Sequence, residues 1–249
     1  MNTVFERGFT VIEVMLFLAV TGALFAALMV GVNTNITQQQ YREGVFALST
    51  FLQNEYSEVI NPRNEVRNNS NRWACENSII TPASSIDAIA RGTSDCVLLG
   101  RAVEGDGTLV RSYAVIGTEQ DVVGTGDIET LKKYRPQLST SNSQYGLVEM
   151  RMDWETSLST QEGDSFSLLI LRSPASGLLR VFAQYGELPD ELATMLEPTA
   201  AKQEVRVCVE GSRGALPIHS VTIDPKISSQ DGVTVVEFDP NEEGERACA

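Results

Sequence analysis

The residue that most needs a chemical reason is Glu13. It follows Phe9-Thr10-Val11-Ile12 and precedes nineteen residues without a charge, Val14 to Val32. A carboxylate at the centre of an apolar helix costs roughly 2.5–3.5 kcal/mol on insertion scales, less near the end, and where it is kept it marks a function. Four cysteines, Cys75, Cys96, Cys208 and Cys248, could be oxidised in pairs. Zinc is the rival reading, but there is no C-x-x-C and His219 is the single histidine. His219 reads as a packed or surface imidazole in a strand rather than a catalytic base. Gly105-Asp106-Gly107 and Gly124-Thr125-Gly126 are turn signals, because neither has the glycine spacing and following helix of a phosphate loop. The tail Asp239-Pro240-Asn241-Glu242-Glu243-Gly244-Glu245 concentrates oxygen ligands of the kind calcium accepts. Asp239, Glu242 and Glu243 are its calcium candidates, although their spacing fits no EF-hand and acidic runs are usually solvated faces. No other cofactor is expected, and nothing points to an enzyme.

The elements that must position these groups begin with the apolar run. Counted from Phe9 and allowing Glu13, it is twenty-four residues long, and about 20 apolar residues cross a hydrocarbon core as a helix. Arg7 precedes the run and the next cation is Arg42. Positive-inside asymmetry then puts the N-terminus in the cytoplasm and everything after the helix outside. A cleaved secretory signal would have a shorter core, and a plain anchor leaves Glu13 without a purpose. Cysteines outside the cytoplasm favour disulfides. Of the three possible connectivities, Cys75–Cys96 and Cys208–Cys248 are preferred because both close local loops.

Arg7-Gly8-Phe9-Thr10-Val11-Ile12-Glu13 resembles the processing site of type IV prepilins and of type II secretion pseudopilins. The resemblance covers about a tenth of the chain. It implies a leader cut between Gly8 and Phe9 by a membrane prepilin peptidase, which also N-methylates Phe9. It further implies that Glu13 serves assembly, pairing with the terminal amine of a neighbouring subunit. A buried carboxylate and ammonium are each costly alone but attract strongly in low dielectric, so the pair would favour one helix-to-helix register. Gly22 falls where pilin helices also carry glycine, and a Cys208–Cys248 bridge resembles the carboxy-terminal disulfide loop of pilins. Two departures stand out. Val30 beside Gly31 occupies the place of a frequent mid-helix proline, and Arg7 is the leader's lone cation.

Beyond Asn33 the chain turns polar, yet no helix breaker follows until Pro62. Val45, Leu48, Leu52, Tyr56 and Val59 recur at steps of three or four, an amphipathic stripe. One helix is therefore expected from Phe9 to about Ile60, with two helices jointed at Asn33-Thr34-Asn35 as the alternative. Strands are expected at Cys96–Leu99, Leu109–Ile116, Tyr145–Met152, Val205–Val209, His219–Ile223 and Val233–Phe238. Phe166–Leu171 and Leu178–Phe182 should form a hairpin through Ser173-Pro174-Ala175-Ser176-Gly177. Short helices are expected at Ser85–Ala90 and Pro189–Leu196. Residues 61–71 read as a linker and Gly117 to Ser143 as a long surface loop. The layout is a leader (1–8), a membrane or filament-core helix (9–32), its amphipathic continuation (33–61) and a β-rich extracytoplasmic head (62–249). The fold class is α+β: a long N-terminal helix packed on an antiparallel sheet, with room for a second sheet.

Lys and Arg number 19 against 33 Asp and Glu, a formal charge of −14, which repels polyphosphate and argues against a nucleic-acid partner. The expected function is a structural subunit of a type IV pilus, a minor pilin in particular, acting in initiation, adhesion, motility or DNA uptake. Its partners would be other pilin subunits, the prepilin peptidase, an inner-membrane assembly platform and, before assembly, membrane lipid. It would sit in the cytoplasmic membrane, N-terminus inside, and then in an extracellular pilus or periplasmic pseudopilus. A type II secretion pseudopilin is the alternative, and a membrane-anchored extracytoplasmic enzyme or binding domain the distant one.

Overall fold

The computed structural model describes residues 10–61, 72–76, 79–83, 96–118, 126–138, 147–211 and 219–237. The protein is α+β, an apolar N-terminal helix followed by antiparallel sheets. Helix α1 runs unbroken through Val11–Ile60, with no joint at Asn33-Thr34-Asn35. Asparagine costs only a few tenths of a kcal/mol in a helix interior, too little to interrupt a ladder already formed on both sides. The chain divides into two compact units, Met1–Arg42 and Glu43–Ala249.

In the second unit the strands are β1 (Arg72–Glu76), β2 (Ile79–Ala83), β3 (Cys96–Asp106), β4 (Leu109–Thr118), β5 (Gln137–Leu138) and β6 (Leu147–Arg151). They continue with β7 (Ser157–Thr160), β8 (Ser165–Arg172), β9 (Leu179–Tyr185), β10 (Val205–Glu210), β11 (His219–Ile223) and β12 (Val233–Glu237). A six-stranded sheet has the order β5-β4-β3-β8-β9, with β6 also paired to β4. A second sheet has the order β12-β11-β10-β7, and β1 and β2 form a hairpin. Among the described residues all strand pairings are antiparallel.

The amphipathic stripe is buried as its spacing demands, with Val45, Leu48, Leu52, Tyr56 and Val59 all nearly inaccessible. Glu55 is buried among them. Its Oε2 accepts hydrogen bonds from Arg101 Nε at 2.7 Å and from Ser112 Oγ at 2.5 Å, which fastens α1 to β3 and β4. Gln53 Nε2 donates to the Val233 carbonyl at 3.2 Å, so the same half-helix also reaches the second sheet. Gly44 lets α1 come close: a Cβ there would lie 3.3 Å from Thr156 Oγ1. Burial, with Asp224 as a lesser cause, pushes the Tyr56 phenol far above its ordinary range, so it is neutral at any physiological pH.

The opposite face of the six-stranded sheet holds Leu99, Ala102, Val115, Leu169, Leu171 and Phe182 in one core cluster with Leu131, Leu192, Met195 and Leu196. Leu131 belongs to α2 (Asp127–Lys133), which lies inside the stretch expected to be a surface loop. Ile128, Leu131 and Tyr134 fall on one face, half-buried or buried, while Asp127 and Glu129 open the helix and Lys132 and Lys133 close it, as the helix dipole favours. Two turns are too short for the periodicity to stand out from a polar background. Strand β5 lies in the same stretch. Where a helix was expected at Pro189–Leu196, only a 3-10 turn forms, Leu192–Met195. The hairpin turn expected at Gly105-Asp106-Gly107 falls one step later: Gly105 and Asp106 pair in β3, and Gly107 takes the turn at φ 54°. The expected short helix at 85–90 and the linker at 62–71 lie outside the described residues.

The connection from β6 to β7 is a tight turn, Asp153-Trp154-Glu155-Thr156. The Thr156 N–H and Oγ1 both donate to the Asp153 carbonyl, at 3.2 and 2.6 Å. Trp154 and Glu155 have φ 62° and 56°. Positive φ at both central residues is the mark of a type I′ turn, normally Asn-Gly, and costs roughly 1–2 kcal/mol for each residue with a Cβ. The surroundings hold it there. On one side Met152 N–H donates to the Thr108 carbonyl and on the other Leu158 N–H donates to the Gly107 carbonyl, at 2.8 and 2.6 Å.

Two outcomes are expected. Arg101→Met strands Glu55 and should lower stability by about 3 kcal/mol, whereas Glu55→Leu with Arg101→Met should recover most of it; guanidinium unfolding measures both. Asp127 is held below its ordinary pKa of 3.8, first by the Arg180 guanidinium and then by the Ser173 and Ser176 hydroxyls. Its contribution is therefore present above the ordinary value and lost as pH falls through it toward the lower folded one. The thermal midpoint should drop between about pH 5 and pH 3, and the drop should shrink in Asp127→Asn.

Candidate functional site

Helix α1 begins at Thr10, whose carbonyl accepts from Val14 N–H at 3.2 Å and whose Oγ1 accepts from Glu13 N–H at 3.3 Å. Thr10 is thus the N-cap and Glu13 the third helical residue, the spacing of a capping box. Here the carboxylate stands at the positive end of the helix dipole, where a negative charge is stabilised. The Thr-x-x-Glu pattern was legible in the sequence and gives Glu13 a local role besides any partner.

Above this cap, Val11–Met29 is one helix long and apolar enough to cross a membrane, with mean hydropathy 2.4 and none of its residues buried. At 1.5 Å per residue it is about 28 Å long, close to the hydrocarbon thickness. Apolar side chains lie on every side, among them Val11, Ile12, Leu16, Phe17, Leu24, Phe25 and Leu28, all more than half exposed. A helix apolar all round needs lipid or other helices against it. Its one hydroxyl is already satisfied: Thr21 Oγ1 donates to the Phe17 carbonyl at 2.8 Å. That suits a medium with no water to bond. A Cβ at Gly22 or Gly31 would meet nothing within 4 Å.

Gly8 and Phe9 lie outside the described residues, as do Cys248 and the calcium candidates Asp239, Glu242 and Glu243. Cys75 lies in β1, Cys96 opens β3, and Cys208 sits in β10. Cys208 is fully buried and disulfide-bonded. His219 opens β11, opposite Glu237 of β12. Among the described residues no group of three or more His, Cys, Asp or Glu could hold a metal. Sequence reasoning missed Glu55, whose pairing with Arg101 joins residues 46 apart, a separation without local signal. It missed Trp154 as well, because turn chemistry points away from tryptophan. No protein-family model, no curated protein and no solved structure matches this chain.

The apolar helix makes a direct prediction. In carbonate-washed membranes of the expressing cell the full chain should stay in the pellet, and a chain lacking residues 11–29 should leave it. Full-length protein recovered in the supernatant would count against a spanning role.

Proposed function

We propose that this protein is a structural subunit of a type IV pilus-like filament, a minor pilin cleaved between Gly8 and Phe9 and assembled through α1. The observation that carries the reading is Glu13: a carboxylate in the first turn of a helix whose next four turns are apolar and exposed on all sides. Lipid can cover the apolar surface but offers nothing to the acid, whereas a neighbouring copy can do both. Cleavage after Gly8 would place a new ammonium at Phe9, beside the Thr10 cap and four residues before Glu13. In a bundle of such helices each carboxylate could take the amine of the next subunit. The subunit is structural rather than catalytic. Its partners are other subunits, the peptidase and the inner-membrane platform, and it passes from the membrane to the extracellular filament.

Mass spectrometry of sheared filaments and residual membranes tests the reading. A peptide beginning at methylated Phe9 is expected in the filaments, and Glu13→Ala should abolish its incorporation while leaving cleavage intact. Chains with residues 1–8 retained in every fraction would overturn the proposal. Recovery of the processed chain only in a periplasmic secretion complex would redirect it to a pseudopilin.

A further inference from the structure

Three turns meet at one end of the second unit. Gly107 N–H donates to the Asp164 carbonyl at 3.1 Å, Met152 N–H to the Thr108 carbonyl and Leu158 N–H to the Gly107 carbonyl. The β3–β4 turn, the Asp153–Thr156 turn and the turn after β7 are therefore bonded into one cluster. Trp154 stands out of it with 52% of its surface exposed. The residues around it, Met152, Thr156 and Leu158, are buried.

A tryptophan held in a left-handed conformation and left in water is costly in both backbone and side chain. Backbone strain of this kind persists where surrounding contacts over-determine it, and it gathers at recognition and catalytic sites. Here the anchoring is explicit: both flanks of the turn are bonded to the β3–β4 turn, and Thr156 is packed at Gly44 of α1. The indole is thus presented on a fixed base, which spares a partner the entropy of ordering it. Tryptophan is also the residue most enriched among those that dominate interface energies.

The chemistry of the partner follows from the charges. Residues 106–108, 152–156 and 160–164 contain Asp106, Asp153, Glu155, Glu162 and Asp164 and no Lys or Arg, so the exposed Arg151 that ends β6 is outnumbered five to one. All five carboxylates are exposed. Among the described residues none of them is in an ion pair. A cation is attracted both to the indole face and to such a group of exposed carboxylates. The apex of a two-residue turn is convex and cannot enclose a small molecule, so the enclosing surface must come from the partner. A second copy with a formal charge of −14 is repelled by this end.

We infer that Trp154 is a preorganised docking tip for a lysine- or arginine-bearing segment of another protein. The inference is independent of the filament role of α1. The full chain in detergent, carrying Trp73→Phe so that Trp154 is the sole tryptophan, is titrated with a hexa-arginine peptide and followed by indole emission. A saturable change that weakens with added salt is expected. By calorimetry, Trp154→Ala should bind the peptide about 2- to 30-fold more weakly, the span of cation–π contributions. Asp153→Asn with Glu155→Gln, which keeps the turn and the indole, should weaken it more than the same loss of two charges at Glu129 and Asp231, and that difference decides the matter if Trp154→Ala fails to fold; equal losses would overturn the inference. Equal affinity for the parent and Trp154→Ala would mean attraction by net charge alone and would overturn the inference. So would silence toward hexa-arginine, a saturable response to maltohexaose instead, or an emission change with protein concentration alone, which would assign the tip to a second copy.

Discussion

The architecture of the second unit depends on one buried carboxylate. Glu55 lies in the middle of an otherwise apolar stripe, and an ionised group there is tolerable only if every part of its charge is answered. Arg101 and Ser112 answer it from adjacent strands. Apolar contacts alone fix which face of α1 is buried, but they are not directional and set its depth along the strands less sharply. The carboxylate admits one depth and one azimuth, because only there do both donors reach it. Since Gln53 on the same half-helix reaches Val233, that single docking position also sets how the two sheets meet α1.

Much of this was readable beforehand, for reasons that can be stated residue by residue. The stripe from Val45 to Val59 repeats with the helical period over four turns, and no competing pattern interrupts it. Strand β11 was read at its actual ends because Pro217 precedes His219–Ile223 in sequence and Asp224-Pro225 follows it, and the β8–β9 hairpin because Pro174 and Gly177 punctuate it. Much of what escaped notice depends on contacts distant in sequence. Leu131 marks α2 only once the sheet beneath it is known. Ser157–Thr160 became a strand although its composition is neutral, since β10 supplies its ladder. The missing side chain of Gly44 is what admits Thr156, a role that shows only once residues more than a hundred positions apart are brought together. The capping pair Thr10 and Glu13 was legible but hidden behind the resemblance that Glu13 suggested.

The two halves of α1 carry opposite side-chain patterns on one secondary structure. From Val11 to Met29 the helix is apolar on all faces and leaves them uncovered. From Glu43 onward apolar and polar residues separate onto opposite faces, and the apolar one is buried by strands. No proline or cap marks the change. Side-chain pattern alone, laid on one unbroken helix, divides the element into an apolar half left uncovered and an amphipathic half that strands cover.

The connection between Gln53 and Val233 also constrains the order of events when the chain is made. These residues are 180 positions apart, and synthesis proceeds at about 5–20 residues per second. The apolar stripe of α1 therefore exists for on the order of ten seconds or more before its last covering strand does. During that interval the half-helix is complete in sequence but has nothing to lie on, and late closure of long-range contacts is the slow part of such folds. A newly made chain must pass through a state in which a sticky helical face waits for its sheet, and this is the state a cell's folding helpers would have to recognise.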